Sequence, residues 1–135
     1  MSLRLLAPDL YVKVNRRELS LRDADGKTSA HPLTPNEGFS HSRTFPADPK
    51  LASLAVHQFI RSHWKQQGYF AIIKPRLLVH IVEELAGGLS ETENRALRYT
   101  FESEARELYF VHSQNSATVT DVSEAIDRVR QTGVL

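Results

Sequence analysis

The chain has 135 residues, and its 17 Lys and Arg against 16 Asp and Glu give a formal net charge of +1. This balance argues against a strongly basic nucleic-acid-binding protein. The apolar fraction of 41% and charged fraction of 24% are typical of globular domains, so we expect one folded domain over residues 1–135. The absence of Cys excludes disulfides, thiolate metal sites and a cysteine nucleophile, and it suits a reducing compartment, so we expect a cytoplasmic location. The apolar patch Leu5–Ala7 is too short for a signal peptide, and no stretch is long enough to span a bilayer.

Short alternating runs open the predicted fold. Leu10–Val14 and Leu19–Arg22 flank the polar segment Asn15–Glu18, a pattern that predicts a β-hairpin. Prolines and polar residues then dominate residues 28–49, which we expect to form a loop-rich insertion with at most one edge strand.

The next segments predict a helix followed by strands. Apolar residues recur at helical spacing from Leu51 to Trp64, and Gly68 ends this helix. Tyr69–Ile73 has a pattern compatible with an extended segment. The nearly continuous apolar run Arg76–Val82 predicts a central strand that is covered on both faces.

The remainder of the chain continues the alternation of helix and strand. Ser90 and Glu93 have the spacing of a capping box, which predicts the start of a second helix. Leu108–Val111 predicts another buried strand, and the apolar spacing from Val122 to Val129 predicts a final helix. Two or three leading strands followed by helix, strand, helix, strand, helix predict a three-layer α/β domain with a mixed sheet. This element order is that of the ribonuclease H-like architecture.

Motifs for common chemistries are missing from the sequence. It contains no phosphate-loop, dinucleotide-binding, zinc-helix or nucleophile-elbow motif. Lys13 and Asn15 stand where a metal-dependent nuclease of this architecture would need a carboxylate on its first strand. We therefore expect no bound metal and no metal-dependent nuclease activity.

The histidines are interpreted as structural or surface residues. His57 and His63 are six residues apart on one helix, which is not the spacing of a metal site, and we expect both at the surface. His80 and His112 lie in or just after apolar strands, where a hydrogen-bonded structural histidine is the simplest interpretation. A Ser–His–Asp arrangement assembled in space stays open, with no motif to support it.

A basic cluster surrounds the predicted hairpin. It consists of Lys13, Arg16, Arg17 and Arg22. Such a cluster could contact an acidic partner, or it could keep a solvated strand edge charged against edge-to-edge pairing. Both interpretations stay open.

In the second half of the chain, a Gly-Gly turn and a helix start over Gly87–Leu97 are followed by the strand-like segment Ala105–Val111. These segments resemble the bacterial actin-like rod-shape protein family MreB, whose turn leads into a Thr-Glu-x-Glu-Arg-Arg-Ala helix start and whose next strand reads Ala-Arg-Glu-Val-Tyr-Leu. Upstream, Pro46–Asp48 and the following helix resemble the family's Ile-Ala-Asp-Phe segment, and Pro75–Val82 occupies the place of its next strand. The resemblance runs from about residue 44 to the end, and it implies the first large subdomain of the actin fold, which has ribonuclease H-like topology.

Departures from the family affect its nucleotide-binding loops. Asn15–Glu18 replaces the family's Asp-Leu-Gly-Thr phosphate loop, and His112, Ser113 and Gln114 replace its Glu-Glu-Pro sequence, whose second Glu orients the attacking water. The sequence ends at Leu135, before the family's second phosphate loop. We therefore expect neither half of a nucleotide cleft to be complete, and no cofactor.

Two functions remain as hypotheses. The first is a non-catalytic, stand-alone actin-like subdomain that binds protein, either a rod-shape or other actin-like filament system or a second copy of itself, with the basic cluster as a candidate contact. The alternative is a small nucleotide-binding protein or ATP-hydrolysing enzyme that uses the carboxyl ends of the parallel strands. Its candidate residues are Asn15, Asp48, His112 and Ser113, with Arg16 and Arg17 at the degenerate loop.

Overall fold

The fold is a mixed sheet with helices on both faces and a small ribbon at one end. The computed structural model describes residues 2–34, 37–38, 46, 48–82, 88–113 and 119–135. The strands are β1 (Ser2–Leu6), β2 (Leu10–Val14), β3 (Glu18–Asp23), β4 (Thr28–Pro32), β5 (Tyr69–Ile73), β6 (Arg76–Ile81) and β7 (Glu107–His112), and the helices are α1 (Pro49–Gln67), α2 (Glu91–Phe101) and α3 (Val122–Thr132).

The main sheet has five strands in the order β4-β3-β2-β6-β7. β2, β3 and β4 pair antiparallel as a meander, whereas β6 pairs parallel to both β2 and β7. The predicted α/β class, the mixed sheet and the leading hairpin are confirmed. The Arg76 strand is interior and paired on both sides, but the middle strand of the five is β2. The edge strand expected in the loop-rich segment is β4, and most of residues 35–47 lies outside the described residues.

Local capping explains the ends of the three helices. Asp48 accepts hydrogen bonds from the backbone N–H groups of Lys50 and Leu51 at the start of α1, and Gly68 ends that helix with a φ of 76°. The capping box at Ser90 and Glu93 is confirmed at the start of α2. Asp121 caps α3, which ends at Gly133 in the left-handed conformation.

The sheet is covered unequally on its two faces. Helices α1 and α2 pack together on one face over alternate residues of the strands, whose fully buried members are Leu10, Val12, Val14, Leu19, Leu21, Leu77, Val79 and Ile81. In the described part of the chain, α3 is the helix that covers the other face, over Tyr11, Leu78 and Val111. Each such large apolar side chain contributes roughly 1.5–3 kcal/mol by burial, so the α1 and α2 side forms the larger core.

Strand β7 differs from its prediction. Its apolar run suggested a strand covered on both faces, but β7 is at the edge of the sheet and most of its residues are only half-buried. A continuous apolar run can therefore come from an edge strand whose aromatic side chains pack partly on a helix, as Phe110 does against Phe101.

Strands β1 and β5 form a separate two-stranded parallel sheet, here called the ribbon. β1 leads through residues 7–9 into β2, and β5 leads through residues 74–75 into β6, so the ribbon prolongs the central strand pair beyond its amino ends. The N–H of Ala7 still donates to the carbonyl of Ile73 across this junction, at 3.0 Å. The sequence predicted β5 as an extended segment but gave no strand over Ser2–Leu6.

Candidate functional site

The turn that replaces the family's phosphate loop is closed by its own side chain. Asn15 Oδ1 accepts hydrogen bonds from the N–H groups of Arg17 and Glu18, at 2.8 and 2.9 Å. An Asx turn of this kind uses the amide oxygen locally. Asn15 thus shapes the β2–β3 turn, and that turn presents Arg16, Arg17 and Glu18 at the carboxyl end of β2.

The other residues proposed for a nucleotide cleft do not lie together, and one of them caps a helix. His112 and Ser113 line a cavity of about 610 Å³ between the end of β7, helix α3 and the C-terminal residues. Neither Asn15 nor Asp48 is among the described residues that line it. Asp48 is the N-cap of α1, so its carboxylate already accepts two backbone hydrogen bonds. The four candidates therefore do not form one site.

The basic cluster divides into two parts. Lys13 and Arg22 lie on the α3 side of the sheet and line one cavity of about 370 Å³, whereas Arg16 and Arg17 lie in the turn. Because β3 pairs with β2 on one side and β4 on the other, these charges do not protect a sheet edge. The edge-protection interpretation of the cluster is wrong, and its role as a contact surface stays a prediction.

A buried histidine couples two parallel strands on the α3 face. The hydroxyl of Tyr11 lies 2.6 Å from Nδ1 of His80, and Nε2 of His80 lies 3.2 Å from the carbonyl oxygen of Ser113. Since the carbonyl can only accept, Nε2 carries the proton and Nδ1 accepts from Tyr11. Burial lowers the pKa of His80, against the opposing effect of the Ser113 carbonyl, and raises the pKa of Tyr11 to about 12. The structural interpretation of His80 is confirmed, while His112 is exposed.

His63 is buried, contrary to its predicted surface position. Nε2 of His63 lies 2.8 Å from Asp23 Oδ2, and Nδ1 lies 2.7 Å from the hydroxyl of Ser29. Both the His63 and Asp23 side chains have no solvent exposure. The Ser–His–Asp arrangement that the sequence left open is thus present in space, between α1 and the β3–β4 hairpin.

Asp23 also takes part in the structure of the neighbouring β3–β4 turn. Asp23 Oδ1 accepts from the N–H groups of Asp25 and Lys27, at 2.9 and 3.0 Å, so the same carboxylate organises the β3–β4 turn. His63 then fastens α1 to that turn, and Ser29 supplies the remaining hydrogen bond of the ring. A buried polar group needs such partners because an unpaired one costs about 1–3 kcal/mol.

The ribbon carries a concentration of exposed apolar side chains. Leu5, Phe70 and Ile72 are 68%, 60% and 63% exposed, and Leu6 and Ile73 are also exposed. The parallel register places Leu5 and Ile72 on the same face as Phe70. Apolar residues exposed singly are ordinary, whereas these three side chains lie together on one face of the ribbon.

A charged network fixes the base of the ribbon. Arg76, at the start of β6, donates to both carboxylate oxygens of Asp9, at 3.1 and 2.6 Å, and to Asp127 of α3 at 2.7 Å. Ser123 donates to Asp9 as well, at 2.7 Å. Burial alone would raise the pKa of Asp9, but the hydrogen bonds from Arg76 and Ser123 outweigh it and lower that pKa. The network holds the β1–β2 linker to the main sheet.

Comparisons with known proteins assign no family. No family model matches the chain, and a search of curated proteins finds no significantly similar sequence. Among the described residues there is no group of three or more side chains that could hold a metal ion, and no described helix is long and apolar enough to cross a membrane. A functional proposal therefore has to come from the residues and surfaces themselves.

Proposed function

We propose that the chain is a non-catalytic, actin-like subdomain that acts as a protein-interaction module, and that the ribbon is its contact surface. The observation that carries this proposal is the apolar group Leu5, Phe70 and Ile72 on a strand pair that protrudes from the amino end of the central strands. This end is opposite the carboxyl ends, where ligands of α/β sheets usually bind.

The actin-like part of the proposal rests on element order and on the family resemblance. Three antiparallel leading strands followed by β6 and β7, each reached through a helix, support a ribonuclease H-like topology. The MreB-like segments fall on the expected elements, because the capping box begins α2 and the Ala105–Val111 match runs into β7. A link to rod-shape or other cytoskeletal filaments is the biological context that this resemblance favours.

The β2–β3 turn supports a module without nucleotide chemistry. Asn15 uses its amide oxygen to close the turn, and Glu18 adds a negative charge beside the place where the family binds phosphate. We expect calorimetric titration of the chain with ATP and Mg²⁺ to give no saturable heat. Saturable binding would instead favour the alternative, a small nucleotide-binding protein or ATP-hydrolysing enzyme.

Site-specific photo-crosslinking in cells tests the contact surface. A photoreactive phenylalanine analogue at position 70 should give protein adducts, because Phe70 is exposed in the apolar group. The matched control carries the analogue at position 99, where Tyr99 is a similarly exposed aromatic residue on α2. Protein adducts at position 70 and none at position 99 support the proposal. Adducts to lipid alone, or equal protein labelling at both positions, would overturn it.

A further inference from the structure

Resting on the function proposed above, we infer that the partner of the ribbon is a second copy of this chain, joined by antiparallel pairing of β5 with β5 of that copy. The product would be a four-stranded sheet in the order β1-β5-β5-β1, with a two-fold axis that passes midway between the two Ala71 residues. Three features of the ribbon support this pairing: the direction of its polar backbone groups, the unprotected edge of β5, and the incompleteness of a two-stranded sheet.

The free edge of β5 presents the backbone of Phe70 and Ile72. The carbonyl of Ile73 accepts from Ala7, so the polar groups of Ile73 face β1. Backbone polar groups of a parallel strand point alternately to its two sides, which directs the N–H and C=O groups of Phe70 and Ile72 away from β1. In the described part of the chain no strand other than β1 pairs with β5. These four groups can therefore be satisfied by another strand.

Strand β5 lacks the features that normally prevent edge pairing. Its sequence, Tyr69–Ile73, has no charge and no proline, and all five residues can adopt extended backbone. Natural sheet edges usually carry Lys, Pro or a bulge. The edge strand β4 of the main sheet follows that rule, because it consists of polar residues around Ala30 and ends at Pro32. The contrast with β4 favours β5 as an edge that can pair with another strand.

A second copy of the chain supplies the additional strands and the apolar cover that the isolated ribbon lacks. Two strands are fewer than an independent sheet normally needs, and parallel pairs are usually covered on both faces. Pairing about Ala71 places Phe70 opposite Ile72 of the other copy, so that the two apolar faces join into one. A lipid bilayer would cover the side chains but leave the open edge groups unsatisfied, whereas a strand satisfies both.

The charges near the ribbon are compatible with this arrangement. Lys74 follows β5 directly. With the two-fold axis at Ala71, position 74 lies opposite position 68 of the other copy, so the two Lys74 residues are roughly 20 Å apart at a rise of about 3.3 Å per residue. Repulsion between them is therefore screened at physiological salt, where the Debye length is about 8 Å.

Charge substitutions at the two facing positions test the pairing and its register. Sedimentation equilibrium of the full chain should show a monomer–dimer equilibrium over about a hundredfold concentration range. Phe70→Lys and Ile72→Glu should each weaken the dimer by at least about tenfold, because each places an unpaired charge in the apolar contact. An equimolar mixture of the two variants should dimerise about tenfold more tightly than either alone, since the new Lys and Glu side chains would face each other. Leu54→Glu, on an exposed apolar residue of α1, is the matched control and should leave the dimer unchanged.

The sedimentation and photo-crosslinking results test the dimer and the proposed function separately. A wild-type chain that stays monomeric overturns the inference, and protein adducts of another mass from position 70 would then leave the interaction module standing. A monomeric chain that gives no protein adducts overturns both. A dimer that the single variants weaken but their mixture does not restore overturns the β5 register. Circular dichroism of each variant, measured in parallel, confirms that loss of the dimer is not loss of the fold.

Discussion

Removal of the Arg76 side chain should destabilise the fold by about 3 kcal/mol, more than most single substitutions. Arg76 and Asp9 are only 14% and 11% exposed, and they are joined by two hydrogen bonds between charged groups. Such bonds contribute about 1.5–3 kcal/mol each where they are protected from water, and Arg76→Ala also leaves the Asp9 carboxylate with Ser123 as its remaining side-chain donor. The third partner, Asp127, is 55% exposed, so Asp127→Ala should cost no more than about 1 kcal/mol.

Urea unfolding followed by circular dichroism measures these differences. With a slope of about 1–3 kcal/mol per molar urea, Arg76→Ala should lower the midpoint by about 1–3 M, and Asp127→Ala by no more than about 0.3–1 M. A double-mutant cycle should give a coupling energy of at least about 1.5 kcal/mol between Arg76 and Asp9 and below about 0.5 kcal/mol between Arg76 and Asp127. Equal coupling in the two cycles would refute the reasoning that burial, rather than the number of ion pairs, decides the contribution of this network.

Two further predictions concern the buried histidines. Ser29→Ala should lower stability by about 1–3 kcal/mol, because Nδ1 of the buried His63 loses its hydrogen-bond partner. Labelling of wild-type Ser29 by a fluorophosphonate probe would contradict a purely structural role for this residue. The lowered pKa of His80 means that the unfolded chain, with its ordinary value of 6.5, takes up a proton before the folded chain does. The contribution of His80 to the free energy of unfolding is therefore complete above pH 6.5 and decreases as the pH falls through the folded pKa. In His80→Gln, the free energy of unfolding should change less over that pH range. An equal dependence of the unfolding free energy on pH in both proteins would exclude His80 as the group responsible.

The sequence predicted the elements with strong local signals. Pro49 and Gly68 bound α1, and Ser90 and Glu93 form the capping box, because these residues act within one helical turn of the end that they define. The apolar run beginning at Arg76 placed β6 in the interior of the sheet for a similar reason, since a strand covered on both faces needs apolar residues at every position.

The surface position predicted for His63 rested on its six-residue spacing from His57, and it is wrong because the apolar residues around His63 define the buried face of α1. Val56, Phe59, Ile60 and His63 follow the i, i+3, i+4, i+7 spacing of one helix face, and all four are buried. The spacing alone would have placed the histidine inside. No local pattern predicts that Asp23 is the hydrogen-bond partner of His63. Asp23 is forty residues away in the sequence and lies next to His63 only when α1 packs on the hairpin.

The ribbon could not be predicted for a related reason. Ser2–Leu6 is short and mixed in character, and it becomes a strand only because β5 lies beside it in parallel register. Its position follows from the parallel pairing of β2 with β6, since the segments that precede two paired strands are brought together at their amino ends. The pairing is thus a consequence of the topology of the main sheet rather than of local propensity.

The same topology gives the two ends of the molecule different side-chain chemistry. At the carboxyl ends of the central strands, the Asx turn at Asn15 and the N-cap role of Asp48 use polar side chains to complete local structure. At the amino ends, Arg76 and Asp9 fasten the junction firmly, yet the strands beyond it expose Phe70 and Ile72. Because this network holds the base of the apolar strand pair, the pair has less conformational entropy to lose on association than a free segment of the same length.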